Sequence, residues 1–255
     1  MIRNKPVIAI LPTFNLENKE NDPYFDRASF VRMYIKKIKE SGGIPIGILE
    51  ENVEDVLPLC DGFLWPGGSK IYKSFYKVIE HAIKYHKPLL GVCLGSQAIA
   101  TYFNILEDME EHKIKSIEEA YEVCKEEDPY IGLIEECYLL NHNHTVTKEK
   151  ESINKARHKI KILKNSFLNE IYKVEELDVV SLHKYSIKRT SKNTLVSAKS
   201  SDGIIEAVEY HEDNQSILGV QFHPEIEEDK SLFVWLVNEA RKKVEDARNS
   251  RSRNS

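Results

Sequence analysis

The chain has 255 residues and only four cysteines, Cys60, Cys93, Cys124 and Cys137. None shows the paired spacing of a disulfide framework, so a stapled secreted scaffold is excluded and free thiols in a reducing compartment are expected. Long apolar runs are also missing. The stretch from Val7 to Leu11 follows Arg3 and Lys5 but stops at Pro12, too short for a signal peptide. No segment is long and apolar enough to span a bilayer, and the expected location is the cytoplasm. Without an export signal, Asn143-His144-Thr145 has only the form of a glycosylation acceptor. The net charge of −5 gives no basic surplus for nucleic acid or an anionic membrane. His142 and His144 lie close together, but no cysteine or carboxylate cluster accompanies them in sequence, so no metal is expected. Nothing points to a cofactor, an internal repeat or a second domain.

What is present suits one α/β domain with a large core, at 41% hydrophobic content. Residues 1–246 are read as that domain, and the polar, Arg- and Ser-rich residues 247–255 as a disordered tail. Strands and helices alternate through the first half. Val7 to Leu11, Ile44 to Leu49 and Phe63 to Trp65 read as strands. Ala28 to Ser41 and Tyr72 to Tyr85 read as helices, the first carrying Phe30, Val31, Tyr34, Ile35 and Ile38 at helical spacing. Gly42-Gly43 ends it. This alternation predicts a mostly parallel sheet flanked by helices, with ligands outside the carboxyl ends of the strands. Residues 107–152 are rich in Glu and Lys, with a helix expected over Ser116 to Lys125; a solvated face explains the charge, and a lid or partner surface is the alternative. From Leu177 the chain turns to short strands, Leu177 to Leu182, Leu195 to Lys199, Ile204 to Tyr210 and Ile217 to Phe222. These predict a smaller antiparallel region that returns His223 to the parallel strands. A final helix covers about Lys230 to Val244.

Three motifs carry chemistry. Gly91-Val92-Cys93-Leu94-Gly95 follows the apolar run Pro88-Leu89-Leu90. It has the form Gly-x-nucleophile-x-Gly of a nucleophile elbow, with sulfur in place of oxygen. The glycines permit the sharp turn, and the helix that follows directs its positive end at the thiol and favours thiolate. A buried structural cysteine is the plainer reading of a lone thiol, but the flanking glycines and the rest of the chain count against it. The second motif is His223-Pro224-Glu225. Pro224 keeps the local chain extended, so residues i and i+2 face one point and Glu225 can orient the His223 ring. A base held by a carboxylate is what a cysteine nucleophile needs. The third is Trp65-Pro66-Gly67-Gly68, an apolar strand running into a corner whose backbone N–H groups can serve an oxyanion; Gly68 and Leu94 are the expected donors.

Together these pieces resemble the class I glutamine amidotransferase superfamily, in its order: Pro66-Gly67-Gly68, then Gly91 to Gln97, then His223-Pro224-Glu225. Within it the chain looks most like the gamma-glutamyl-gamma-aminobutyrate hydrolase branch, the C26-type peptidases. Ser41-Gly42-Gly43-Ile44-Pro45, His144-Thr145-Val146, the stretch around Arg157 to Ile160, Ser181-Leu182-His183 with Tyr185, and Asp202-Gly203-Ile204-Ile205-Glu206-Ala207 resemble further segments of that branch. The resemblance implies a flavodoxin-like fold. It also implies Cys93 as nucleophile, His223 as base and acid, Glu225 as its orienting partner, and Gly67, Gln97, His183 and Tyr185 around the substrate. Leu94 departs from the branch, which carries arginine there, and the segment from Gly68 to Tyr76 is short.

The function expected from this resemblance is hydrolysis of a gamma-glutamyl amide through a thioester on Cys93, with no cofactor and a small-molecule partner. Two alternatives remain at this point: an amidotransferase subunit handing ammonia to a separate synthetase, and a non-enzymatic binding protein on the same fold. Leu94 and the short corner favour the former, whereas the intact Cys93, His223 and Glu225 speak against the latter.

Overall fold

Strand β1 (Val7–Ile10) is buried on both sides. Val7, Ala9 and Leu11 join one hydrophobic cluster, while Ile8 and Ile10 join another across the sheet. That period of two with no polar face is what a strand inside a parallel α/β sheet requires. The structure is a computed structural model describing residues 5–13, 28–68, 71–117, 119, 134–136, 142, 150–210 and 215–253. Cys124, Cys137, the His144-Thr145-Val146 strand, the Asn143 sequon and most of the helix expected over Ser116 to Lys125 lie outside these residues.

Five strands run parallel. β2 (Ile44–Gly47) and β3 (Gly62–Trp65) flank β1, β4 (Leu89–Val92) follows β3, and β11 (Ile217–Val220) lies beyond β4. Antiparallel strands extend the sheet past β11 in the order β10 (Ile205–Tyr210), β9 (Thr194–Ser200), β6 (Arg157–Ile162) and β7 (Glu176–Val180). A short pair, β5 (Ile134–Glu136) and β8 (Tyr185–Ile187), attaches to β10. The expected parallel core with an antiparallel region is therefore present, and the antiparallel part is broader than a set of hairpins around β11.

Helices cover both faces. α1 (Arg32–Glu40) and the final helix α7 (Ser231–Arg253) bury Tyr34, Ile38, Phe233 and Leu236 on one side. α3 (Tyr76–Lys84) and α4 (Leu94–His112) bury Tyr76, Ile79, Ile99 and Phe103 on the other. Three short α-helices complete the set among the described residues: α2 (Val53–Val56), α5 (Lys150–Lys155) and α6 (Phe167–Tyr172). Sequence reading missed α6, although its start is legible: Ser166 is an N-cap whose Oγ accepts from the Asn169 N–H. The buried Glu209 carboxylate accepts from the N–H groups of Phe167 and Leu168 at 2.8 and 3.0 Å, docking that helix end onto β10.

The final helix is longer than its expected extent of about Lys230 to Val244 and continues to Arg253. No glycine or proline interrupts residues 231–253, so nothing in the sequence stops the helix near Val244. At the start of the Glu/Lys-rich segment, Glu107, Asp108 and Glu110 on α4 are paired. Arg189 donates through Nη2 to both carboxylate oxygens of Asp108 at 2.7 Å, and Lys192 pairs with Glu110 at 2.9 Å.

α4 lies exceptionally close to the sheet at its first turn. A Cβ added to Gly95 would stand 2.1 Å from the Trp65 carbonyl oxygen, and one added to Gly91 would stand 2.6 Å from the Gly95 backbone. Neither obstacle is the movable end of a side chain, so the β4–α4 corner cannot form with larger residues at these positions. Gly95→Ala is expected to destabilise the chain by about 3 kcal/mol in urea unfolding, whereas Met33→Ala, at a side chain 43% exposed, should change it by less than about 0.5 kcal/mol.

Candidate active site

Cys93 sits at the corner between β4 and α4 with φ 51° and ψ −105°. A non-glycine residue at positive φ and outside the left-handed helical well is strained, and surrounding structure has to hold it there. Three hydrogen bonds do so. The Cys93 N–H donates to the Val220 carbonyl at 2.8 Å, and the Cys93 carbonyl accepts from the N–H groups of Ser96 and Gln97 at 3.1 and 3.2 Å. The first ties the corner to β11; the other two start α4. The thiol lies at the helix N-terminus, where backbone N–H groups lack intrahelical acceptors and Leu94 supplies the first of them.

β11 delivers the second half of the site. Its register sets Val220 beside Val92, so His223 emerges at the same end of the sheet as Cys93. The His223 N–H donates to the Val180 carbonyl at 3.0 Å, fixing the chain just past the strand. Its Nδ1 lies 2.7 Å from Glu225 Oε1, the i to i+2 pairing expected across Pro224. An Nδ1–H donated to the carboxylate leaves Nε2 for a second partner. Nε2 makes no conventional hydrogen bond among the described residues. Cys93 nevertheless acts on the ring by charge and side-chain contact. Burial pushes the imidazole pKa down, but the charges of Glu225 and Cys93 outweigh it and hold the value well above 6.5.

Gly67 occupies the space between the two groups. A Cβ there would lie 3.2 Å from His223 Cε1, 3.4 Å from Cys93 Cβ and 3.9 Å from Cys93 Sγ. A side chain there would meet Cys93 at ordinary contact distance and crowd the His223 ring by a few tenths of an ångström. The Gly67 N–H points at the Tyr34 hydroxyl at 3.5 Å, and its carbonyl accepts from Thr13 Oγ1 at 3.2 Å. With Gly67 held in this way, the exposed Gly68 that follows it is the better placed of the two glycines to offer an N–H to a ligand.

Three residues that sequence reasoning did not single out complete the frame. Tyr34 appeared only as a core position of α1. Its hydroxyl is fully buried, and burial first, then the charge of Glu225, keeps the phenol protonated far above pH 10. Lys37, one turn along, points its ammonium at the main chain just past Glu225. It donates to the carbonyls of Glu227, Glu228 (3.2 Å) and Asp229 (2.8 Å). Burial lowers its pKa against the opposing pull of Glu40 and Asp229. Gln221 accepts from Gln97 Nε2 at 3.1 Å. A lysine on an apolar helix face was the one available sign of such a role.

The substrate-side expectations fall in different places. Gln97 is buried, and its amide nitrogen also donates to the Tyr185 carbonyl at 2.9 Å, so it braces the wall that carries Tyr185. Tyr185 is half-buried on that wall, with Lys184 over its ring. His183 is buried: Nδ1 bonds the Tyr185 carbonyl at 3.0 Å, and Nε2 faces Glu206 Oε1 at 3.7 Å.

Comparison with known proteins agrees with this architecture. The Peptidase C26 family model matches residues 74–225. A glutamine amidotransferase-like protein of Rickettsia prowazekii is 26% identical, the match covering 92% of this chain and 96% of that one. CTP synthase of Thermotoga maritima is 30% identical over 69% of this chain but only 34% of its own length. Among solved structures, the glutaminase domain of Trypanosoma brucei CTPS superposes with a TM-score of 0.62 at 16% identity, covering 93% of this chain and 94% of that domain. No helix among the described residues is long and apolar enough to cross a membrane. The chain belongs to the Peptidase C26 family, within the class I glutamine amidotransferase-like superfamily.

Proposed function

We propose that the chain hydrolyses a gamma-glutamyl amide, of the gamma-glutamyl-aminobutyrate kind, by covalent catalysis at Cys93. The observation that carries this reading is the convergence of a strained, helix-capping cysteine with a carboxylate-held imidazole across Gly67. A thiolate–imidazolium pair suits the raised pKa of His223. The thiolate attacks the side-chain amide carbonyl, and the oxyanion rests on the N–H groups of Gly68 and Leu94. As the C–N bond breaks, His223 gives its proton to the departing amine, leaving a gamma-glutamyl thioester. The neutral imidazole then takes a proton from water, whose oxygen attacks the thioester. Expulsion of the thiolate releases glutamate and restores the starting pair. Gln97, Tyr185 and Gly67 form the wall against which the gamma-glutamyl group rests.

A second reading keeps the same chemistry but takes glutamine as substrate and passes ammonia to a separate synthetase. Leu94 in place of the hydrolase branch's arginine favours it, as does the similarity to CTP synthases. The purified chain separates the two. Turnover of gamma-glutamyl-aminobutyrate without any partner supports the hydrolase, whereas weak activity confined to glutamine supports the subunit.

Cys93→Ala is expected to lower kcat on the preferred substrate by at least about 10³-fold, because nucleophile and base act as a unit; retained turnover would end this mechanism. A glutamine-like electrophile such as acivicin should alkylate Cys93 of the folded chain with expulsion of chloride, leaving an adduct of the reagent's mass less HCl, and a folded chain that takes no adduct would instead indicate a binding protein. His223 supplies a second check. Its folded pKa lies above the ordinary imidazole value of about 6.5, so the stability it gains from Glu225 is fully present below that pH. The gain is lost as pH rises through the folded value. In NMR titrations the His223 ring should titrate well above about 6.5 in the native chain and distinctly lower in Glu225→Gln. The stability gap between the two should narrow on the alkaline side.

A further inference from the structure

Three histidines gather around one carboxylate on β10. Glu206 on β10 is fully buried, as are His142 and His183. His158 on β6 places Nε2 3.0 Å from Glu206 Oε1, the distance of a hydrogen bond. The other two approaches are different. His142 Nδ1 lies 3.5 Å and His183 Nε2 3.7 Å from the same oxygen. Glu206 Oε2 has no hydrogen-bond partner among the described residues.

The outer contacts fix which ring nitrogens carry hydrogen. His142 Nε2 lies 3.1 Å from Asp202 Oδ2, so the N–H belongs there and Nδ1 presents a lone pair inward. Ser181 offers little to that lone pair: it lies 3.4 Å away, while its Oγ donates to the His142 carbonyl at 2.9 Å. His183 Nδ1 faces the Tyr185 carbonyl at 3.0 Å, which can only accept, so its N–H is there and Nε2 presents its lone pair inward. Two imidazole lone pairs thus converge on a carboxylate. Electron-rich atoms facing one another in a buried space repel unless a positive charge lies between them.

The spacing suits an ion. One donor atom each from His142, His183 and Glu206 lie within 4.8 Å of one another. Bonds of about 2.1 Å to a tetrahedral ion place neighbouring ligand atoms about 3.4 Å apart, close to the 3.5 and 3.7 Å found. The surroundings match as well. Metal-binding histidines regularly donate their other N–H to a carboxylate or a backbone carbonyl; here Asp202 serves His142 and the Tyr185 carbonyl serves His183. His158 orients the carboxylate in the same manner. Sequence spacing concealed the set, because its members come from positions 142, 183 and 206.

We propose that His142 Nδ1, His183 Nε2 and a Glu206 carboxylate oxygen bind one divalent transition-metal ion of the zinc type. The site is structural. It joins the chain at His142 and the Ser181–Tyr185 segment to β10, and through the Tyr185 carbonyl it steadies Gln97 and the pocket wall. It does not depend on the chemistry proposed for Cys93.

The test uses the full tag-free chain, stripped with a chelator and titrated with zinc or cobalt(II). Expected are about one equivalent bound, cobalt absorption bands of a four-coordinate site, and a melting temperature raised by about 5 °C at a hundredfold excess over Kd. X-ray absorption of the zinc form should show nitrogen and oxygen ligands at about 2.0–2.1 Å with no sulfur. Cys93→Ala should keep the equivalent, and Glu206→Gln should lose it. Since Glu206→Gln can also fail by misfolding, the absorption spectrum of the unaltered chain decides independently. A folded chain binding less than about a tenth of an equivalent, with a melting temperature indifferent to chelator, would overturn the proposal and leave an imidazolium as the compensating charge. Sulfur in the shell would overturn it equally.

Discussion

The close approach of α4 to β3 is the constraint on which the site depends. Gly95 lies against the Trp65 carbonyl with no room for a methyl group, and two residues before it the chain at Cys93 turns through a positive-φ corner. The strain is local, but its support is not. It comes from β3 on one side and from the Val220 carbonyl of β11 on the other. A thiol presented at the carboxyl end of a parallel strand and at the start of a helix follows directly. In this glutamine-amidotransferase-type hydrolase, sheet packing and presentation of the thiol are therefore one structural fact.

Charge in the interior is arranged around that corner in layers. Glu225 stands between the His223 ring and the Tyr34 hydroxyl, and each neighbour responds to its charge. Beyond Glu225, the Lys37 ammonium gathers three successive carbonyls. A buried carboxylate and a buried ammonium would each be costly alone; here each is met by groups of the opposite polarity. The same logic recurs with Glu206 and its histidines. From Glu206 a path runs through His183 and the Tyr185 carbonyl to Gln97 and Gln221.

The elbow was legible because its chemistry is local: Gly91, Cys93 and Gly95 fall within five residues, and the apolar run before them announces the strand. His223-Pro224-Glu225 was legible for the same reason, since i and i+2 share a direction in extended chain. The parallel strands could be read because burial on both faces leaves uninterrupted apolar runs. What escaped depends on contacts between distant stretches. Tyr34 and Lys37 look like ordinary residues of an amphipathic helix until Glu225 and the 227–229 carbonyls are brought against them. His183 was read through its neighbourhood to Tyr185, and nothing in that segment discloses that its ring turns towards Glu206. α7 runs past Val244 because its sequence, although polar, holds no residue that breaks a helix.

The order of the strands bears on when the thiol becomes reactive during synthesis. β4 and its corner are complete once the first hundred or so residues have left the ribosome, and β3 is already beside them. The other edge of β4 stays bare until β11, more than a hundred residues later in the chain, slots in and brings the imidazole with it. On the proposed mechanism, a half-made chain would thus carry the cysteine without the imidazole meant to activate it. Nucleophilic power would then arrive only with the C-terminal third, sparing the nascent polypeptide an armed sulfur.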